Sequence, residues 1–254
     1  MNKNKKMPLI GISGKAGAGK DLVGVMIQYL VHTEGIINIE YWEKFKNKST
    51  FNQIVFSQYV IKKFADKLKT IVCLLIGCTR EQLEDREFKE RELGEEWGVW
   101  KVVKNDGTQF GGIHENKKDA EFTLSICSWS NCQVVFEKIT PRKMLQQVGT
   151  DLFRKQLHPN TWVNASFANY LNNAWIFTDV RFPNELEAIK KRKGITIRIN
   201  RGLIERTGKM IQEPEHISET ALDDAKFDYV IENNGTIEEL IEQVKKILIK
   251  EKII

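Results

Sequence analysis

The chain has 254 residues, of which 41% are hydrophobic and 29% charged, enough for one α/β domain with insertions or for two small domains. The formal net charge is only +5 and the basic residues are spread along the chain. This argues against a nucleic-acid partner but leaves acidic small molecules. The basic start, residues 1–6, precedes an apolar run too short for a signal-peptide core or a membrane span, which predicts a cytoplasmic location and no membrane partner.

Apolar periodicity, taken in chain order, predicts an α/β fold. Residues 7–12 form a short apolar run that ends in glycines, and a helical pattern follows at 22–31, which gives strand, loop and helix. Further strands are predicted at 54–57, 174–178, 195–200 and 229–232. Further helices are predicted at 59–76, at 141–157 with Thr140 as its cap, and at 236–249 with a Thr236/Glu239 capping box. Five strands alternating with helices predict a five-stranded parallel sheet flanked by helices on both faces.

Residues 94–138 have a different texture, with short apolar runs such as 122–127 and 134–136 separated by turn signals such as Asn-Asp-Gly at 105–107. They predict an inserted β-rich lobe, so that residues 1–93 and 139–254 form the core. The tryptophans Trp97, Trp100 and Trp129 could stack on a base. We prefer the interpretation that they pack against neighbouring aromatic residues, as is usual in hairpins.

The four cysteines form two pairs with the same spacing, Cys73/Cys78 and Cys127/Cys132. Such pairs could clamp a zinc ion. We predict free thiols instead, because Cys73 lies in an apolar run typical of a core helix, and positions five apart do not share a helical face.

Residues 14–21 carry the strongest chemical signal. Their sequence, GKAGAGKD, matches G-x-x-x-x-G-K and joins the first strand directly to the first helix, which predicts a P-loop NTPase fold. Glycines let successive N–H groups turn toward phosphate oxygens, the helix N-terminus adds its dipole, and the second lysine reaches the β- and γ-phosphates. The residues predicted to bind ATP are Gly14, Lys15, Ala16, Gly17, Ala18, Gly19, Lys20 and Asp21.

Two aspartates are candidate magnesium ligands. Asp21 stands where a Ser or Thr hydroxyl usually ligates Mg²⁺, although it could simply favour the helix N-terminus. Asp179 follows the apolar run 174–178, so it should emerge at the carboxyl edge of a strand, beside the metal or its waters. Arg181 is predicted to bind a phosphate, with a structural ion pair to Asp179 as the alternative.

Residues 200–215 are loop-like and carry Arg201, Arg206 and Lys209 among glycines. This composition suits a lid that closes over the γ-phosphate, and a solvated basic loop is the alternative. Arg201 and Arg206 are the stronger candidates of this loop, because guanidinium forks match phosphate oxygens. The predicted catalytic residues are Lys20, Arg181, Arg201 and Arg206.

With these residues in place, the chain resembles the phage-type deoxynucleoside monophosphate kinases, whose loop also carries Asp after Lys. Similar stretches are FADKLK at 64–69, PRKMLQQVGT at 141–150, TDVRFPNE at 178–185, and parts of 216–231; the 94–138 lobe is excepted. The resemblance implies ATP and Mg²⁺ as cofactors, small nucleotides as partners, and transfer of the γ-phosphoryl to a deoxynucleoside monophosphate, giving the diphosphate and ADP. A phage-encoded chain would act in the host cytoplasm.

For the acceptor, the resemblance implies polar residues on two helical segments. Arg142 is the first choice for the acceptor phosphate, and Trp162 could stack on the base, with core packing as the alternative. The complete acceptor set is Asp66, Lys69, Arg142, Gln147, Thr150, Arg154 and Trp162.

Other functions stay open from the sequence. Animal phosphomevalonate kinases are similar in the loop and near the C-terminus, so the acceptor could be phosphomevalonate, or dephospho-coenzyme A with Asp66 as base. A nucleotide-dependent switch would hydrolyse the nucleotide without any acceptor. A homodimer is compatible with the sequence, which does not fix the oligomer.

Overall fold

The structure is a computed structural model that describes residues 7–47, 58–171, 173–202 and 220–254. Its contacts divide the chain into two compact units, Met1–Asp66 with Trp162–Ile254, and Lys67–Thr161. The lobe predicted at 94–138 falls inside the second unit. Its bounds, and those of the 1–93 and 139–254 core, stay a prediction.

The elements are numbered in chain order. The strands are β1 (Ile10–Ser13), β2 (Val60–Lys62), β3 (Val99–Lys104), β4 (Gln109–His114), β5 (Cys132–Glu137), β6 (Trp175–Val180), β7 (Ile195–Asn200) and β8 (Tyr229–Glu232). The helices are α1 (Lys20–His32), α2 (Ile39–Lys46), α3 (Asp66–Ile76), α4 (Arg80–Glu84), α5 (Arg86–Glu90), α6 (Lys117–Ser125), α7 (Pro141–Gln146), α8 (Thr161–Phe167), α9 (Pro183–Lys191) and α10 (Ile237–Lys250). A π-helix, Gln147–Leu157, continues α7, and a short 3₁₀ helix spans Glu95–Trp97.

The first unit is built on a five-stranded parallel sheet in the order β2–β6–β1–β7–β8. Side chains alternate between its two faces. Ile176 packs with residues of α1, α2 and α10, whereas its neighbours Trp175 and Phe177 pack with residues of α8 and α9. Both faces are therefore buried under helices, which confirms the predicted α/β class and is consistent with a P-loop NTPase fold.

Helix starts follow the predicted capping chemistry. The Thr236 hydroxyl accepts from the Glu239 N–H while the Glu239 carboxylate accepts from the Thr236 N–H, which forms the predicted capping box of α10. The Thr140 side chain accepts from the Lys143 N–H, and Pro141 occupies the first turn of α7. Both starts are confirmed.

The second unit contains an antiparallel sheet in the order β4–β3–β5. This extra sheet fits an inserted β-rich lobe. The predicted turn at 105–107 joins β3 to β4, with Gly107 at φ +83°. Trp100 lies 5.0 Å from the Phe136 ring and Trp129 lies 5.1 Å from the Phe110 ring, which confirms packing for these two tryptophans.

Several predicted elements differ in the structure. The helix predicted at 59–76 is wrong over its first part, because Val60–Lys62 pairs in parallel with Trp175–Phe177 as β2 and the helix begins only at Asp66. Strand pairing outweighs the helical periodicity of this stretch. β1 begins later than predicted, at Ile10. The strand predicted at 54–57 lies outside the described residues.

The apolar run at 122–127, one of those that indicated a β-rich lobe, is not a strand, because 122–125 belong to α6. Asn116 caps this helix by accepting from the Asp119 N–H, and Lys117 pairs with Glu121 one turn later. The helix predicted at 141–157 has the right extent but changes from α to π at Gln147. π-Helical turns are rare in proteins, and those that occur are often found at functional sites.

None of the four cysteines forms a disulfide bond. The thiols of each pair nevertheless lie together: Cys127 Sγ is 3.2 Å from Cys132 Sγ, and the Cys78 thiol hydrogen-bonds that of Cys73. Gly77, at φ +65°, turns the chain back after α3 and so brings Cys78 to Cys73. Among the described residues no group of three or more His, Cys, Asp or Glu could hold a metal ion.

Within the same ranges, no helix is both long enough and apolar enough to span a membrane.

Candidate functional site

The phosphate-binding loop lies between β1 and α1, at the carboxyl end of β1. Gly14 has φ +155°, and a Cβ at this position would lie 2.5 Å from the Ile199 carbonyl oxygen, so glycine alone fits. The Lys20 ammonium donates to the carbonyl oxygens of Gly14 at 2.6 Å and Lys15 at 2.7 Å. The loop therefore curls around its own lysine, at the positive end of the α1 dipole.

Asp21 lies in the first turn of α1 and is held from two directions. The Thr178 hydroxyl donates to its Oδ1 at 2.5 Å, and the Lys63 ammonium lies 3.0 Å from its Oδ2. Its side chain is still 66% exposed. Asp21 is thus oriented but accessible, and sequence reasoning missed both of its partners.

Asp179 lies near the end of β6 and binds the segment between β2 and α3. Its oxygens accept the backbone N–H groups of Phe64 at 2.8 Å and Ala65 at 3.0 Å. Burial raises the pKa of Asp179 above its ordinary value, and these N–H donors and the charge of Arg181 offset only part of that rise. A cation beside this carboxylate would lower its pKa again. Asp66 lies close by, where its Oδ2 accepts from the Lys63 N–H at 3.0 Å.

Arg181 follows β6, where the start of α9 fixes its backbone. Its N–H donates to Oε2 of the buried Glu185 at 2.8 Å, and the N–H of Phe182 donates to the same oxygen at 3.1 Å. Glu185 therefore satisfies two backbone N–H groups at the start of α9 and fixes the backbone of Arg181 just after β6.

The candidate lid begins beside the phosphate loop. Arg201 Nη1 donates to the Gly17 carbonyl oxygen at 3.3 Å, so this arginine is adjacent to the loop. Arg206 and Lys209 lie outside the described residues.

Arg198 is a further cation that sequence reasoning missed. It lies on β7, and its guanidinium donates to Ser13 Oγ at 3.2 Å and to Asp223 at 2.8 Å. Only 14% of its side chain is exposed. Its place in the alternating strand sequence ITIRIN was the available signal, since a charge inside such a strand needs partners.

Five of the acceptor candidates lie in the second unit, and two of these are ion-paired there. Lys69 is 2.6 Å from Glu84 and Arg142 is 2.5 Å from Glu90. Burial alone would raise the pKa of Glu84, but Lys69, with Arg80 and Lys89, holds it below its ordinary value. Both cations thus already bind carboxylates, whose oxygens resemble those of a phosphate.

The remaining acceptor candidates of the second unit, Gln147, Thr150 and Arg154, lie on the π-helix. Trp162 belongs to the first unit and is 3% exposed, a burial typical of core packing.

A family model described as deoxynucleotide monophosphate kinase matches residues 99–244, which is more than half of the chain. The match includes most of the 94–138 lobe, so the expectation that the resemblance leaves out this lobe is wrong. It begins after residues 14–21, so the assignment of the loop rests on its motif and geometry.

Three relatives carry similar descriptions. A deoxynucleoside-5'-monophosphate kinase of Escherichia phage T5 is 27% identical over an alignment of 213 residues that covers 72% of each chain. A putative deoxynucleotide monophosphate kinase of Acanthamoeba polyphaga mimivirus is 36% identical over 120 residues, 41% of this chain and 59% of the relative. A deoxynucleotide monophosphate kinase of Escherichia phage RB69 is 30% identical over 113 residues, 42% of this chain and 44% of the relative.

Proposed function

The chain belongs to the deoxynucleotide monophosphate kinase family, and from this membership we propose that it transfers the γ-phosphoryl of ATP to a deoxynucleoside monophosphate, giving the deoxynucleoside diphosphate and ADP. The coarser activity, a nucleoside monophosphate kinase, follows from the family itself. The observation that carries the proposal is the loop curled around the Lys20 ammonium at the end of β1.

The loop is the ATP site of this proposal, formed by residues 14–21. Bound phosphates would compete with the Gly14 and Lys15 carbonyl oxygens for the Lys20 ammonium. The loop N–H groups and the start of α1 would hold the β- and γ-phosphates in place. Arg181, Arg201 and Arg206 would add positive charge around the transferred group, which is where phosphoryl transfer needs it.

The carboxylates of Asp21 and Asp179, which lie near the phosphate loop and at the end of β6, fit Mg²⁺. Mg²⁺ usually binds one or two carboxylates together with substrate phosphates and waters, so a cage of several acidic residues is not required. Asp21 is exposed and oriented by Thr178, and Asp179 is a carboxylate whose pKa burial raises. We propose that Asp21 and Asp179 hold the ion, directly or through waters. When bound, Mg²⁺ would neutralise charge on the phosphate oxygens.

The acceptor needs positioning more than acid–base chemistry. A phosphate whose second pKa is about 6 is largely ionised at neutral pH, so its oxygen attacks the γ-phosphorus without a general base. As that bond forms, the bond from the γ-phosphorus to the β-phosphate oxygen breaks and ADP leaves. Arg142 is proposed to bind the acceptor phosphate; Asp66, Lys69, Gln147, Thr150, Arg154 and Trp162 remain proposed acceptor contacts.

A coupled assay with ATP and Mg²⁺ tests this proposal across the deoxy- and ribonucleoside monophosphates, with phosphomevalonate and dephospho-coenzyme A as further acceptors. We expect ADP release that depends on a deoxynucleoside monophosphate. Activity confined to either of the further acceptors would refute the substrate. ADP release that no acceptor stimulates would refute the transfer reaction.

A further inference from the structure

Asn233 follows β8, and its side chain lies against the phosphate loop. Its Nδ2 donates to the Ala18 carbonyl oxygen at 2.8 Å. Its backbone N–H donates to the Asn200 carbonyl oxygen at 2.8 Å, which extends the β7–β8 pairing by one residue. The side chain therefore reaches the loop from a backbone position that the sheet fixes.

This hydrogen bond determines the orientation of one loop peptide. In a planar trans peptide the carbonyl and the following N–H point in opposite directions, and the described chain has no cis peptide bond. Holding the Ala18 carbonyl toward Asn233 therefore points the Gly19 N–H away from Asn233. If this peptide rotated by half a turn, the Ala18 carbonyl oxygen would take the place of the Gly19 N–H on the side away from Asn233, where it would repel a phosphate.

The same peptide has little of its own to prevent that rotation. Gly19 has φ +98°, and glycine adopts positive and negative φ with similar ease. A Cβ on residue 19 would lie 2.7 Å from Asn233 Nδ2, so the asparagine packs directly against the glycine. The flexible glycine and its external anchor thus occur together.

Other loop carbonyls are held by cations. Lys20 binds the carbonyl oxygens of Gly14 and Lys15, and Arg201 binds that of Gly17. Both cations are proposed to turn toward phosphates when the nucleotide binds. Asn233 is neutral, so a triphosphate attracts it far less than it attracts an ammonium or guanidinium, and it can keep its carbonyl throughout.

We propose that Asn233 is a positioning residue that holds the Ala18–Gly19 peptide with the Gly19 N–H directed at the bound triphosphate. This inference rests on the proposed function of the loop. Asn233 acts through the loop peptide and needs no contact with either substrate.

Asn233→Ala removes the anchor, and Asn233→Asp keeps the side-chain shape but removes the donor. The probes are ATP with Mg²⁺, in calorimetric binding and in steady-state kinetics. We expect both variants to raise the Kd and the KM for ATP about tenfold or more, since a misdirected loop N–H costs part of what a removed phosphate or oxyanion donor costs. The KM for the deoxynucleoside monophosphate should stay within about twofold, which a general loss of structure would not allow.

Gln243→Ala is the matched control. The Gln243 amide donates to the carbonyl oxygen of Glu232, the residue before Asn233, at 3.0 Å. The variant therefore removes a side-chain amide hydrogen bond close to Asn233 but not the one to the phosphate loop. It should leave the KM for ATP within about twofold of wild type.

Two results would overturn the inference: an unchanged Kd for ATP in Asn233→Ala, or an equal rise in the KM of both substrates that Gln243→Ala reproduces. A wild-type chain that binds ATP but phosphorylates no acceptor would refute the proposed function alone, because the Kd comparison still decides the role of Asn233. A wild-type chain that binds no ATP would refute both.

Discussion

Asp21 is the residue at which this loop departs from the usual Ser or Thr, so its role in metal binding can be tested directly. We expect Asp21→Ala to raise the Mg²⁺ concentration needed for half-maximal rate about tenfold or more. Thr178→Val keeps the carboxylate but removes the hydroxyl that donates to it at 2.5 Å. This variant should therefore raise the Mg²⁺ concentration for half-maximal rate by less than Asp21→Ala does. An unchanged Mg²⁺ dependence in Asp21→Ala would limit this residue to stabilising the start of α1.

Glu84 gives a pH-dependent prediction. Its pKa is lowered in the folded chain, so its stabilising contribution is present above the unfolded pKa and is lost as the pH falls through the folded pKa. The side chain is 46% exposed, which limits the contribution to about 1 kcal/mol or less. In urea unfolding, Glu84→Gln should therefore be less stable than wild type near neutral pH and equally stable in acid.

Glu121→Gln controls for the loss of a surface carboxylate, because Glu121 forms an exposed pair with Lys117 at 3.2 Å. At neutral pH, Glu121→Gln should lower the free energy of unfolding by less than Glu84→Gln does. A Glu84→Gln defect that persists in acid would mean that the carboxylate charge is not what stabilises this site.

The residues that sequence reasoning found and missed differ in the range of their contacts. Lys20 and Asp21 belong to a continuous motif whose chemistry can be read locally. Lys63, Thr178 and Asn233 reach residues 18–21 from distant parts of the chain, through contacts that only the folded sheet creates. No local pattern marks them, so they could not be predicted.

At the scale of elements, α7 and its π-helical continuation carry most of the proposed acceptor contacts. Arg142→Ala should raise the KM for the deoxynucleoside monophosphate, because it removes the guanidinium proposed for the acceptor phosphate. The expected rise is about tenfold or more, with little change in the KM for ATP. Steady-state kinetics with each substrate varied in turn measures both constants.

Lys138→Ala is the control for Arg142→Ala, since Lys138 forms a similarly exposed ion pair with Glu92 at 2.8 Å. Its kinetics should match wild type. If Arg142→Ala also leaves the acceptor KM unchanged, the acceptor phosphate binds elsewhere.

The elements that were predicted well are those that a local run of apolar residues marks. β7 and β8 have the predicted bounds, although β7 is an inner strand with most residues buried and β8 is an edge strand in which only Ile231 is buried. β2 was missed because only three residues pair, and their identity as a strand depends on β6. The change from α to π at Gln147 has no sequence signal that we could identify.

For the first unit as a whole, strand order explains how one site is assembled from distant segments. β1 lies between β6 and β7, and β2 and β8 lie at the two edges. Because all five strands are parallel, their carboxyl ends lie on the same side of the sheet, where ligands bind in open α/β sheets. This side therefore gathers the loop after β1, Asp179 on β6, Lys63 after β2 and Asn233 after β8. The sequence predicted a parallel sheet but not this order.

The central claim for the whole molecule is transfer of the ATP γ-phosphoryl to a deoxynucleoside monophosphate through the Lys20 loop. It is tested most directly with ATP labelled in the γ-phosphate, Mg²⁺ and each deoxynucleoside monophosphate, by following the label in wild type and Lys20→Ala. The account predicts labelled deoxynucleoside diphosphate from wild type and a rate at least about 100-fold lower from Lys20→Ala. Label released only as inorganic phosphate, or equal transfer by the two proteins, would contradict it.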